Sequence, residues 1–275
     1  MAVVQLRLSY LCRVPTQTDL KGIWHRALLT GAASGIGQAL AQRLAAVGVD
    51  LVLVDKHTEV IDIPTAEIMQ ADLCDPADLA KVEQRLISAQ APVDLVINNA
   101  GLGYECPFWQ QERAEVDETL GLNVIALTQL THSAVRALVE RGGGQVVLVS
   151  SVASLQPIPN IAVYAASKAF VSSLGEALYE EHKGTGVAIT TVMPGLTRTN
   201  FHERGRWNLD NWPSVGWQSP KAVASEALHA AARSRPVVIT GRLNRFYGVL
   251  TTKAPRSLRR FILGRSARRA MAQNL

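Results

Sequence analysis

The sequence predicts an α/β fold, a doubly wound parallel sheet with helices on both faces. Two observations carry that reading. Short, nearly unbroken runs of Val, Leu and Ile recur along the chain, as they do in parallel strands buried on both faces. Longer stretches with apolar residues at helical spacing separate those runs. Strands alternating with helices need right-handed crossovers, which place helices on both sides of one sheet.

The elements follow in order. Residues 27–29 form the first strand and end at Thr30. A glycine-rich stretch leads into a helix over about 36–47, with Ala39, Leu40, Leu44 and Val47 on one face. Residues 49–54 read as a strand that ends at Asp55, and 68–70 as a brief one. Asp75-Pro76 marks a helix start, Asp as N-cap and Pro at the first helical position. Leu79, Val82, Leu86 and Ile87 supply that helix with its buried stripe. Strands at 93–97 and 145–149 bracket helices over about 113–141, which Gly142 to Gly144 stop. A helix over 163–183, a strand at 187–192, a helix over 220–233 and a last strand at 237–240 complete the set.

Composition narrows the class. The chain has 275 residues, 48% hydrophobic and 19% charged, enough apolar material for a sizeable core. No run approaches the ~18 apolar residues of a membrane span, and the first 15 residues do not read as a signal peptide. Cys12, Cys74 and Cys106 are odd in number and far apart. They suit a reducing, cytoplasmic setting and form no CxxC metal site, so no metal is expected. The net charge of +5 is uneven: eleven of the 28 Lys and Arg, and none of the 23 Asp and Glu, follow Glu226. The body is mildly acidic and the end is strongly basic. No nucleic-acid-binding motif accompanies that charge, and nucleic acid is not an expected partner. The expected organisation is an extension over 1–22, a single domain over 23–241 and a basic amphipathic tail over 242–275.

The chemistry-bearing motifs sit around the predicted strand ends. Thr30-Gly31-Ala32-Ala33-Ser34-Gly35-Ile36-Gly37 lies between the first strand and the first helix. Glycines let a pyrophosphate approach the backbone, and the helix N-terminus supplies amide donors. Asp55 closes the second strand, 24 residues after Gly31. A carboxylate there can accept from ribose hydroxyls and repel a 2′-phosphate, which favours NAD over NADP, although adjacent Lys56 could soften that preference. Tyr164 and Lys168 are four apart on a helix, hence on one face. An ammonium beside a phenol favours the phenolate, so such a tyrosine could exchange a proton near neutral pH. Ser151 lies 13 residues before Tyr164, Asn98-Asn99-Ala100-Gly101 ends the fourth strand, Asn123 lies in the helical stretch after it, and Pro194-Gly195 ends the sixth strand, ahead of Thr197 and Thr199.

Taken together, TGAASGIG, Asp72-Leu73, NNAG, Asn123, Ser151, YAASK and PGLTRT resemble the short-chain dehydrogenase/reductase family from about residue 25 to 240. The resemblance implies a Rossmann-type sheet of seven parallel strands and an NAD(P)-dependent oxidoreductase, with NAD preferred. It implies that Tyr164 is the general acid in reduction and general base in oxidation. Lys168 would lower the Tyr164 pKa and bind the nicotinamide ribose. Ser151 would orient the substrate oxygen, and Asn123 would help hold a water linking Lys168 to solvent. Gly31, Ser34, Gly35, Ile36 and Gly37 would line the pyrophosphate turn and Asp55 would hold the adenosine ribose. Asp72 would face the adenine amine, Asn98 would lie along the cofactor and Thr199 would meet the carboxamide. Leu73, Ala100, Gly101, Pro194, Gly195 and Thr197 complete the implied cofactor contacts. It also implies a homodimer or homotetramer through the helices holding Asn123 and Tyr164.

Two segments bear on the substrate and the setting. A lid over about 200–218 carries Trp207, Trp212 and Trp217, whose spacing of five fits no single helix face. The rings either cover an apolar or ring-bearing substrate, or anchor the lid and fill an interface. With the apolar stretch 102–109, they favour interconversion of a hydrophobic secondary alcohol and its ketone. In the tail, Leu243, Phe246, Tyr247 and Leu250 form one stripe, and Leu258, Phe261 and Ile262 begin another among Arg256, Arg259, Arg260, Arg265, Arg268 and Arg269. The tail either packs on the body with a solvated basic face or lies on an anionic membrane. The competing readings are reduction of a lipid or acyl-chain carbonyl at a membrane surface, and a non-catalytic NAD-binding regulator.

Overall fold

The computed structural model of the chain describes residues 20–209, 212, 215–253, 255, 257, 258 and 261. Seven parallel strands make one sheet in the order β3-β2-β1-β4-β5-β6-β7. They are β1 (Arg26–Thr30), β2 (Asp50–Asp55), β3 (Glu67–Gln70), β4 (Leu95–Asn98), β5 (Gly144–Val149), β6 (Val187–Met193) and β7 (Val237–Ile239). The helices are α1 (Gly35–Ala45), α2 (Pro76–Ile87), α3 (Arg113–Leu120), α4 (Leu127–Glu140), α5 (Ala162–Glu181), α6 (Phe201–Arg204), α7 (Pro220–Ala232) and α8 (Arg242–Lys253).

Side chains alternate across the pleat into two cores. Leu28, Val52, Val96 and Val146 meet Val82, Leu130 and Val171 on the α2, α4 and α5 side. Ala27, Leu29, Leu53, Ile97 and Val147 meet Leu40, Leu44 and Leu228 on the α1 and α7 side. β1 pairs with both β2 and β4, so the strand order reverses between β1 and β4. A crevice at that reversal, beyond the carboxyl ends of the strands, is where open α/β sheets bind ligands. The expected N-cap is present: the Asp75 carboxylate accepts from the amides of Ala77 and Asp78.

Three boundaries differ from the sequence reading. The stretch expected as helix over 113–141 is interrupted by a π-helical turn, Gly121–Ala126, which carries Asn123. Such turns often mark functional sites. Leu20 is fully buried in the α1/α7 core beside Trp24, so residues 20–22 of the expected extension belong to the domain; residues 1–19, with Cys12, lie outside the described residues. The domain does not stop at 241 either, because α8 packs on β7 and on the 3₁₀ turn Val152–Leu155. Arg256, Arg259, Arg260 and everything after Phe261 lie outside the described residues.

Candidate active site

The strand ends open into one cavity of about 960 Å³. Its inner floor is built from the turn after β1, the ends of β2, β4 and β5, and the Pro194-Gly195 turn after β6. Gly31, Ser34, Gly35, Ile36, Asp55, Asp72, Leu73, Ala100, Gly101, Ser151, Tyr164, Lys168, Pro194, Gly195, Thr197 and Thr199 all line it. Gly37, Asn98 and Asn123 stand behind it.

The turn after β1 fits a pyrophosphate. Gly31 takes φ +68°, and a Cβ there would come 2.8 Å from the Ala100 Cα. Gly37 lets α1 close directly onto the Gly31 carbonyl, where a side chain would collide. Ser34 makes no side-chain cap bond and no acidic residue occupies the first turn of α1. The first-turn amides and the positive end of the helix therefore face the cavity with no competing carboxylate. Asp55 accepts from the Ala33 amide at 2.9 Å through one oxygen and from the His57 amide at 3.0 Å through the other. These bonds pin its carboxylate at the cavity edge. Lys56 reaches away from it to Asp72 at 2.7 Å, and that partner holds the Asp72 carboxyl below its ordinary range.

Asn98 does not lie along the cavity. It is buried, donates to Thr131 Oγ1 at 2.9 Å and ties β4 to α4. Its neighbour Asn99 takes the expected place. The Asn99 amide donates at 3.0 Å to the carbonyls of Thr30 and Gly31, locking the β4 loop to the glycine turn. The two were adjacent in the motif, and strand alternation decides which of them faces inward.

The reacting groups converge from two elements. Ser151 caps the 3₁₀ turn after β5 and its Oγ accepts from the Ala153 amide at 3.1 Å. Tyr164 and Lys168 lie one turn apart on α5, both buried. Lys168 Nζ donates to the Val149 carbonyl at 3.0 Å and sits 5.9 Å from the Tyr164 ring centre. Burial pushes the Tyr164 phenol up to about 12, against a partial pull downward from its hydrogen bond to Ser151. Burial also brings the Lys168 ammonium down to about 8. Burial is thus the dominant influence on the Tyr164 phenol, and the Ser151 hydrogen bond is what opposes it.

Asn123 is wholly buried. Its Nδ2 donates to the Leu102 carbonyl at 2.8 Å and to Ser167 Oγ at 2.9 Å, and its Oδ1 accepts from the Leu102 amide at 3.0 Å. It clamps the β4 loop onto α5, so Gly101 comes close to Lys168.

The outer cavity is apolar. Ile161, Tyr164 and Ala153 form a small third core with Ile158, Phe201, Trp207 and Trp212. The Trp207 ring meets Tyr164 edge-on at 5.6 Å and stacks on Trp212 at 4.9 Å. Their indole N–H groups donate to the Gly103 carbonyl at 2.8 Å and to Glu105 at 3.1 Å. These two rings anchor the segment to the body and also line the cavity. Trp217 instead packs on His202, 5.3 Å away. The base of the segment is closed by a bridge between Thr197 and Gln218, and Arg206 pairs with Glu115 on α3. Asp210 and Pro213, within the same segment, lie outside the described residues.

Sequence reasoning gave no site role to five of the lining residues, Gly103, Gln156, Leu243, Asn244 and Tyr247. Gly103 has no room for a side chain, since a Cβ would enter the Tyr164 ring; the repeated glycine after NNAG was the available signal. Gln156 hydrogen-bonds the Tyr247 hydroxyl. Leu243, Asn244 and Tyr247 of α8 line the cavity, and nothing in the local pattern set them apart from a tail.

The profile of short chain dehydrogenases matches residues 25–208. The chain belongs to the short-chain dehydrogenase/reductase family. It is 28% identical over 203 residues to the very-long-chain 3-oxoacyl-CoA reductase of Mus musculus, a match covering 69% of this chain and 64% of that protein. The chain therefore matches less than two thirds of that relative's length. Among solved structures, a short-chain dehydrogenase from Sphingobium yanoikuyae in complex with NADPH is 31% identical with a TM-score of 0.74, covering 84% of this chain and 96% of the other. The bulky-bulky ketone specific alcohol dehydrogenase from Comamonas testosteroni is 28% identical with a TM-score of 0.70, covering 84% and 95%. In this family member, the residues of the glycine turn and the strand ends form a cradle that fits a nicotinamide dinucleotide.

Proposed function

We propose that the protein is an NAD(P)-dependent oxidoreductase that interconverts a bulky apolar ketone and its secondary alcohol, with NAD(H) preferred. The observation that carries the reading is a buried Tyr164 and Lys168 with a partly buried Ser151 at the floor of a cavity whose outer wall is aromatic and aliphatic. The nicotinamide, when bound, supplies or accepts the hydride. The chain does the rest. Ser151 Oγ and Tyr164 Oη present hydrogen-bond donors to the substrate oxygen. A phenol held near 12 stays protonated at neutral pH and is set to donate as charge builds on that oxygen. The Lys168 ammonium beside it favours the phenolate that donation leaves. Trp207 and Phe201 exclude water and offer ring faces to an apolar substrate. Asp55 supports the NAD preference, with Lys56 engaged by Asp72 rather than free to meet a 2′-phosphate.

NADH oxidation followed at 340 nm, across ketones from acetone to diaryl and steroid-sized compounds, tests the reading. Activity should rise with apolar bulk, and Tyr164→Phe should lose at least ~10²-fold in turnover while NADH still protects it against thermal unfolding. A preference for small polar carbonyls, or an unaffected Tyr164→Phe, would refute it. A long-chain 3-oxoacyl thioester is the second reading, favoured by the name of the mouse relative; it belongs in the same panel.

A further inference from the structure

Helix α8 is turned the other way from its sequence pattern. The small and polar residues Gly248 and Thr251 are its buried positions. Gly248 lets the helix close onto Ile239 and Leu155, and Asn244 donates to the Thr240 carbonyl at 3.0 Å. The apolar stripe faces outward instead: Leu243 is 61% exposed, Phe246 71%, Val249 53% and Leu250 60%. Arg242, Phe246, Val249 and Lys253 recur at helical spacing along that outer face, and both cations are exposed. A row of four large apolar side chains in water is unfavourable unless something covers it.

Two further observations bear on what would cover it. Arg242 and Lys253 stand exposed on that face, Arg245 is paired with Glu226, and the chain after Glu226 carries eleven Lys and Arg and no acidic residue, a charge that complements an anionic surface. The apolar row rules in a surface with a hydrocarbon layer, since a polyanion alone has no use for Phe246 and Leu250. Moreover, Leu243 and Tyr247 of the same helix line the substrate cavity, as does Val215, itself 69% exposed. The apolar face is continuous with the cavity mouth.

We propose that α8 lies flat on an anionic lipid bilayer, with Leu243, Phe246, Val249 and Leu250 in the acyl boundary and Arg242 and Lys253 at the headgroups, so that the cavity draws its substrate from the lipid phase. The substrate clause rests on the apolar-ketone reading above; the docking clause does not. The side chains and charges match an interfacial helix, whose binding combines buried apolar area with attraction to anionic lipid. No helix among the described residues is long and apolar enough to cross a membrane.

The test is co-sedimentation of the full-length protein with vesicles of phosphatidylcholine containing about a third phosphatidylserine, and with pure phosphatidylcholine. The comparison variant is Phe246→Ser/Val249→Ser/Leu250→Ser, three residues outside the cavity lining. Wild type should bind the anionic vesicles and bind at least ~10-fold more weakly to the neutral ones, or in 0.5 M salt. The triple variant should lose at least ~10-fold in binding and keep its NADH-protected melting temperature. Wild type remaining in the supernatant, or a triple variant that binds as well as wild type, overturns the proposal. So does a triple variant that merely shifts from dimer to monomer in sedimentation velocity while neither protein binds vesicles, since that assigns the face to a second copy. Vesicle binding without reduction of any ketone sinks the substrate reading and leaves the docking in place; reduction without vesicle binding does the reverse.

Discussion

Replacing Lys168 by Met should make the cofactor-free protein more stable while destroying its activity. Burial brings the Lys168 ammonium from an ordinary value near 10.5 down to about 8. At pH 7 the side chain is charged both folded and unfolded, and the folded state bears the whole cost of keeping it so. That cost is about 3 kcal/mol. Met keeps the length and apolar stem without the charge. It leaves the Val149 carbonyl without its donor at 3.0 Å, a loss of roughly 1 kcal/mol. The net gain is about 2 kcal/mol, which raises the melting temperature by roughly 4–8 °C in a domain of this size. The sign reverses the usual ion-pair case. Between about pH 8 and 10.5 the unfolded state holds a proton that the folded state has released, so wild-type stability rises with pH through that window. Near pH 9.5 the residual cost has fallen by more than half, to little more than the lost hydrogen bond, and the gap between the two proteins should shrink to a small fraction of its value at pH 7. Scanning fluorimetry without cofactor at pH 7 and 9.5 checks both numbers, and turnover should fall ~10²- to 10⁴-fold. A variant that melts below wild type at pH 7, or a gap that ignores pH, would refute the reasoning.

Three other outcomes follow from the same geometry. The rate of ketone reduction should be level through neutral pH and fall above about pH 8 as Lys168 loses its proton, because Tyr164 near 12 remains protonated throughout; a profile that rises through pH 8 to 10 would assign the limiting group to something else. Gly103→Ala should displace the Tyr164 ring and cost at least ~10²-fold in turnover, with NADH protection intact; full activity would show that the loop yields freely. Asp55→Ser should raise the ratio of NADPH to NADH affinity at least ~10-fold, roughly 1.4 kcal/mol, read from the thermal shift with each cofactor. Wild type responding equally to both cofactors would remove Asp55 from the selection.

The strands and helices were legible because each carries a local signal. β1 and β4 centre on the apolar runs at residues 27–29 and 95–97, α2 has Asp75-Pro76 at its start, and the glycine turn sits between β1 and α1. What could not be read was orientation set by tertiary contact. Asn98 and Asn99 are one residue apart, and only the register of β4 against β1 and β5 decides which faces the cavity. The apolar stripe of α8 left open whether that face packs on the body or on a membrane, and the helix packs on the body through Gly248 and Thr251 instead. Close approach to Leu155 and Ile239 needs a position without a side chain, and that requirement overrode amphipathicity. The π-helical turn at Asn123 gave no periodic signal because it inserts into an otherwise helical pattern.

The electrostatics of this site and the substrate preference proposed for it share one structural cause. Tyr164 belongs to a small hydrophobic core with Phe201, Trp207 and Trp212, and all three partners come from the segment between β6 and α7. The rings that would choose a bulky substrate are the rings that strip water from the phenol. The segment is held by the Trp207 and Trp212 indoles, the Arg206–Glu115 pair and the Gly205 carbonyl, which accepts from the Glu105 amide at 2.9 Å. Loosening any of these admits water as well as smaller substrates. Water brings Tyr164 and Lys168 back toward their ordinary values. Substitutions in this segment should therefore change substrate range and pH profile together, whereas a wall that served packing alone would move the first without the second.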